Sequence, residues 1–201
     1  MKKIAIILLM AVLSVCSTPG NNVLAETSSQ KEAATATSDY LNTMAFSKSG
    51  LTEMLTYEGY SKTDIDYAIK QSNIDWNQQA KKSAIAYIKS MPFSKKGLTS
   101  QLRYDGFTKA QAKYGVKKCK ANWKKQAKRM GILFLRIKQY SRSKLYKKLK
   151  KVGFTKSQAK YGAKAAKKSY DPAVKPANGN DNKLKLVDLS KKEKSELVNR
   201  K

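Results

Sequence analysis

A chain of 201 residues with 42 Lys and Arg against 14 Asp and Glu carries a formal net charge of +28 and contains no histidine. That balance points to an anionic partner, and the missing histidine removes the commonest general base and metal ligand. The apolar content suits small helical cores, and the scarcity of β-branched runs argues against a large sheet domain.

Lys2 and Lys3 precede an apolar run from Ile4 to Val15, the pattern of an export signal and too short to span a membrane. Residues 1–25 are therefore expected to be a signal peptide, and two processing sites compete within it. Leu13-Ser14-Val15-Cys16 resembles a lipobox, in which Cys16 is diacylated and becomes the new N-terminus, although Val15 stands where Gly, Ala or Ser is usual. Val23-Leu24-Ala25 is the rival, a small-residue site cut before Glu26. Residues 26–38 are Ser/Thr-rich without an evident apolar face and read as a polar tether.

From there the chain repeats with a period of 47 residues and no insertion. Tyr40, Tyr87 and Phe134 correspond, as do Phe46, Phe93 and Tyr140; Leu51, Leu98 and Leu145; Gly59, Gly106 and Gly153; and Tyr67, Tyr114 and Tyr161. Trp76, Trp123 and Tyr170 close the series. A fixed period of this size marks a helical array or tandem small domains. The copies span residues 33–79, 80–126 and 127–173, the third degenerate, and residues 174–201 form a basic flexible tail.

The second copy gives the expected elements. Ala84, Tyr87, Ile88 and Met91 recur at helical spacing, so a first helix runs over 81–90 and stops at Pro92. Ser94 caps a second helix with Leu98 and Leu102 inward, and Asp105-Gly106 ends it. Thr108 caps a third, with Ala112, Gly115, Val116, Cys119 and Trp123 on one face. Gly115 costs roughly 1 kcal/mol of helix propensity, so its place implies a close helix crossing. Nothing between Trp123 and Met130 reads as a stop, so each third helix is expected to run on into the first helix of the next copy. The fold class is then all-α: tandem helix-turn-helix repeats of 47 residues joined by longer shared helices. Cys119 matches Ser72 and Ala166 and reads as a small buried residue rather than a reactive thiol. The repeated Tyr and Trp residues read as core.

Charge separates copies that share a core. Copy one is net acidic, with Lys48, Lys62 and Lys70 against six acids, whereas copies two and three each carry a single acid among many lysines. Copies two and three are therefore expected to meet something anionic. The candidate positions are Lys113, Lys117, Lys120 and Lys124, then Lys156, Lys160, Lys164 and Lys167, each set spaced to share a face of a third helix. No phosphate-cradling loop, nucleophile elbow, paired-cysteine metal motif or carboxylate pair appears, so the chain reads as a binding protein that uses no metal or cofactor and is no enzyme.

The repeat resembles the host cell surface-exposed lipoproteins, or Ltp family, of temperate phages and prophages in low-GC Gram-positive bacteria. The resemblance is carried by Tyr40-Leu41 and Tyr87-Ile88, by Met-x-Phe-Ser-Lys-x-Gly-Leu at 44–51 and 91–98, by the Gly-aromatic pairs at 59–60, 106–107 and 153–154, and by Trp-Asn or Asn-Trp near 76 and 123. Copy three departs from it at Lys138, Lys144 and Tyr170. The resemblance implies an exported protein at the outer face of the membrane, anchored by a lipid if Cys16 is modified. It also implies superinfection exclusion, with the tape-measure protein of an incoming phage as the partner engaged to block DNA injection. The alternative from the residues is an exported basic module that binds DNA or anionic envelope polymers non-specifically.

Overall fold

In the computed structural model, residues 26–172 are described, and over that span the chain is a series of nine helices without strands. They fall into three units of one long and two shorter helices. The first holds α1 (Ser28–Thr43), α2 (Lys48–Tyr57) and α3 (Lys62–Gln71). The second holds α4 (Trp76–Ser90), α5 (Lys95–Tyr104) and α6 (Lys109–Lys118). The third holds α7 (Trp123–Ile137), α8 (Arg142–Lys151) and α9 (Lys156–Ser169). The expected signal peptide with Cys16 and the tail 174–201 lie outside the described residues.

Local chemistry sets the helix ends. Ser47, Ser94 and Ser141 cap the second helix of each unit, their hydroxyls accepting from the amides of Gly50 (3.0 Å), Gly97 (2.9 Å) and Lys144 (3.3 Å). Each of those helices ends at a glycine of positive φ: 93° at Gly59, 87° at Gly106 and 93° at Gly153. The next amide then reaches back to the last turn, as in Phe107 N–H to the Leu102 carbonyl at 3.0 Å, which satisfies a carbonyl the helix leaves open. Thr108 and Thr155 start the third helices as reciprocal capping boxes with Gln111 and Gln158.

Each unit has its own core. Leu51, Leu55, Ile65 and Ile69 form the first; Leu98, Leu102, Phe107, Val116 and Cys119 belong to the second; Leu145, Leu149, Phe154 and Phe134 belong to the third. A leucine buried this completely contributes roughly 1.5–3 kcal/mol. Within a unit the long helix and the third helix cross closely. A Cβ on Gly115 would lie 2.4 Å from the Ala80 carbonyl oxygen, and one on Gly162 2.8 Å from that of Ala127, so the close crossing inferred from Gly115 is present.

Two expectations fail here. The third helices do not continue into the next unit: α3 ends at Gln71 and α6 at Lys118, and the chain turns through Asn73 (φ 43°) and Lys120 (φ 52°). The new helices start on Asp75, which accepts from the amides of Asn77 (2.9 Å) and Gln78 (3.0 Å), and on Asn122, which accepts from Lys125 (2.9 Å). Those cap side chains replace the carbonyls that a continuous helix would have used. The second failure is the tether. Residues 28–38 are the first turns of α1, opened by a capping box of Thr27 and Gln30, with Ala33 and Thr37 fully buried against the unit.

Candidate functional site

The candidate lysines are all exposed, but the structure does not arrange the two sets alike. Lys156, Lys160, Lys164 and Lys167 lie together on α9 at spacings of four, four and three, so they form one stripe. The other set is divided by the turn that breaks the expected long helix. Lys113 and Lys117 lie on α6, Lys120 sits in the turn, and Lys124 opens α7. These four do not share one helix face, because the change of direction at Lys120 re-aims everything after it.

That turn places Lys124 elsewhere instead. Its ammonium stands 5.9 Å from the ring centre of Tyr161 on α9, beside the stripe. Tyr161 is 46% exposed, so the expectation that this tyrosine is core fails, whereas Trp76 and Trp123 do pack against the cores of the units that precede them. Arg142 and Tyr146 of α8 line a shallow, open depression together with Lys160 and Ala163, extending the basic surface from α9 onto α8. Sequence reasoning passed over this pair. Their one-turn spacing on α8 was the available signal.

Electrostatics distinguish the units. Residues 122–170 hold fourteen lysines and three arginines and no acidic residue. Asp171, just beyond this span, is the single acid of the third copy, so the unit is strongly basic. In the first unit, by contrast, Lys62 pairs with Asp66 one turn away. There the Asp64 carboxyl is held below its ordinary range by hydrogen bonds from the Ser61 and Ser29 hydroxyls. At Cys119 burial raises the thiol pKa, and its Sγ donates to the Val116 carbonyl at 3.3 Å, as expected of a packing residue rather than a nucleophile. Among the described residues no group of three His, Cys, Asp or Glu side chains is placed to hold a metal ion, and no helix is long and apolar enough to cross a membrane.

The family model for host cell surface-exposed lipoproteins matches residues 28–71 and 75–118, two segments 47 positions apart that coincide with α1–α3 and α4–α6. Over these two units the chain carries the repeat of the host cell surface-exposed lipoprotein family. The match does not extend to the third unit, which nonetheless repeats the same three helices, with Lys138, Lys144 and Tyr170 at positions where the first two copies hold Met, Gly and Trp. No curated protein and no solved structure matches the chain.

Proposed function

We propose that this protein, which carries the surface-exposed lipoprotein repeat, is a surface-displayed binding protein that excludes superinfecting phage, blocking DNA injection by engaging the tape-measure protein. The observation that carries the proposal is the tandem family match over 28–71 and 75–118. Mechanistically, the repeat supplies a rigid scaffold with cores separate from its surface, so surface charge can change from unit to unit without cost to folding. The stripe on α9, with Lys124 and Arg142 beside it, is the face we assign to the partner, which should then present carboxylates to it. No bond is made or broken: the protein acts by binding, not as an enzyme. Anchorage would come from a diacylated Cys16, which places the array at the outer face of the membrane.

Expression in a susceptible host, with adsorption and DNA entry followed separately, tests the proposal. Adsorption is expected to be unchanged and DNA entry blocked; entry at the usual rate overturns it. Mass spectrometry of the mature N-terminus tests the anchor, a diacylated Cys16 supporting it and a free Glu26 removing it.

The absence of any acid from residues 122–170 favours a second reading, in which the third unit binds DNA or an anionic envelope polymer without specificity. It predicts association with isolated envelopes or duplex DNA in the absence of phage, falling steeply with added salt.

A further inference from the structure

The contact that joins unit one to unit two recurs between units two and three. At the first junction the Ser47 hydroxyl donates to the Asp105 carbonyl, the Ser49 hydroxyl to the Gly106 carbonyl at 3.3 Å, and the Phe46 amide to Gln79 Oε1 at 3.4 Å. One repeat later the Ser94 hydroxyl donates to the Val152 carbonyl at 2.6 Å, and the Phe93 amide to Gln126 Oε1 at 3.3 Å. In each case the loop between the first two helices of one unit enters a groove on the next. That groove lies between the long helix and the glycine turn, and it leaves Ser47 and Ser94 only 2% exposed.

Both ends of this arrangement are open. In unit three the corresponding loop carries Ser141 and Ser143, and both are exposed. In unit one no described residue enters the corresponding groove. A Cβ on Gly106 would lie 2.8 Å from Ser47 Oγ, and one on Gly153 2.8 Å from Ser94 Oγ, whereas one on Gly59 meets nothing within 4 Å. An interface of this head-to-tail kind is not self-complementary, so among the described residues the third unit presents a loop, and the first a groove, without its counterpart.

The residues at the two ends complement each other. Moving the register on by one repeat sets Ser141 opposite the Glu58 carbonyl and Ser143 opposite that of Gly59. Glu32 falls where Gln79 and Gln126 accept from a backbone amide, so a carboxylate acceptor replaces a neutral one and strengthens the bond. Lys144 takes the place of Gly50 and Gly97. A Cβ at those glycines would be 3.2 Å from Ser47 Oγ and 3.1 Å from Ser94 Oγ, and 3.8 and 3.9 Å from the Asp105 and Val152 carbonyl oxygens, so a side chain there borders the junction with a small shift of the serine and would bring an ammonium toward Glu58. The donor end belongs to the strongly basic unit and the acceptor end to the acidic unit, which favours encounter in this orientation.

We propose that a second copy of this chain docks head to tail, the loop 138–143 of one copy entering the groove between α1 and the Glu58-Gly59 turn of the next. The contact is small, so it forms at high local density, as on a crowded surface. It does not depend on the exclusion reading, since neither a phage nor the α9 stripe takes part.

Cysteine trapping on the mature protein tests it, with Cys119→Ser removing the native thiol. Chains carrying Gly59→Cys are mixed with chains carrying Ser141→Cys and oxidised. A chain carrying both Ser94→Cys and Gly153→Cys serves as the internal standard for the same geometry. The mixture is expected to give disulfide-linked heterodimers well above either variant alone, and a chain carrying both Gly59→Cys and Ser141→Cys to give a ladder. Because a side chain at position 59 strains a positive φ, sedimentation of the unsubstituted protein is the second measurement. Its mean mass should rise with concentration at low salt, and Lys144→Glu should return it toward the monomer. A monomer at every concentration, or cross-linking in the mixture no greater than in the separate variants while the internal standard closes, overturns the proposal.

Discussion

Thr37 is buried completely, and its hydroxyl has no hydrogen-bond partner among the described residues. The equivalent positions in the other units are Ala84 and Gly131, so the hydroxyl is an accident of unit one rather than a demand of the fold. Replacing Thr37 by Val removes an unsatisfied polar group at nearly constant shape and should stabilise the protein by about 1 kcal/mol, seen as a higher unfolding midpoint. Tyr87 is the opposite case, a polar group the fold has absorbed. Burial, then the hydrogen bond with Asp105, pushes its pKa up to about 12. The neutral phenol is therefore favoured in the folded state. That contribution is fully present below about pH 10, the unfolded value, and is lost as pH rises toward the folded value. Thermal unfolding from about pH 9 to about pH 12 should fall more steeply for the wild type than for Tyr87→Phe.

At the level of single helices, the crossing of the long and third helices decides which positions tolerate a side chain. A methyl group on Gly115 would press on the backbone of Ala80, whereas unit one accommodates Ala68 at the same position. Gly115→Ala should destabilise by about 1–3 kcal/mol despite its better helix propensity, and Ala68→Gly by about 1 kcal/mol from propensity alone, both measurable by denaturant titration. Helix ends were well marked in sequence wherever a Ser or Thr cap and a glycine stop stood together, as around Ser94, Gly106 and Thr108. The junctions were harder to see. Asp75 and Asn122 are good caps, but a tryptophan follows each of them and continues the apolar pattern, so the period alone runs through the turn. Lys120 hides the break further, since lysine rarely takes a positive φ. For α1 the difficulty was the reverse. The buried face of its first turns consists of Ala33 and Thr37, which carry almost no hydrophobic signal, and packing against α3 shows what they are for.

Across the whole molecule, charge changes while the fold is kept. An exposed lysine stripe contributes little to stability, so changing it should affect binding almost alone. Substituting Lys156, Lys160, Lys164 and Lys167 by Glu should leave the unfolding midpoint within a few degrees of the wild type while lowering affinity for an anionic partner by at least about tenfold at low salt. Titration against the partner together with circular dichroism separates the two effects. Of the candidate surface, the α9 stripe was legible because one uninterrupted helix keeps its spacing. The other set was not, because Lys113 and Lys117 part from Lys124 at a turn. The meeting of Lys124 with Tyr161 joins residues 37 positions apart, which no local spacing encodes.

The 47-residue period, the helical class, the serine and threonine caps, the glycine stops and the difference in charge between copies are all determined by the sequence alone. They depend on neighbours within a turn or two, or on one copy set against another. Where the chain bends between units, how the polar start of α1 joins a core, and which loop fills which groove were decided only by the tertiary structure. The bend is made by local caps that the continuing apolar pattern hides, whereas the other two rest on hydrogen bonds or close packing between segments tens of residues apart. The groove at Gly59, which no described residue enters, and the exposed loop at Ser141 become visible only when the filled junctions between them are seen in three dimensions.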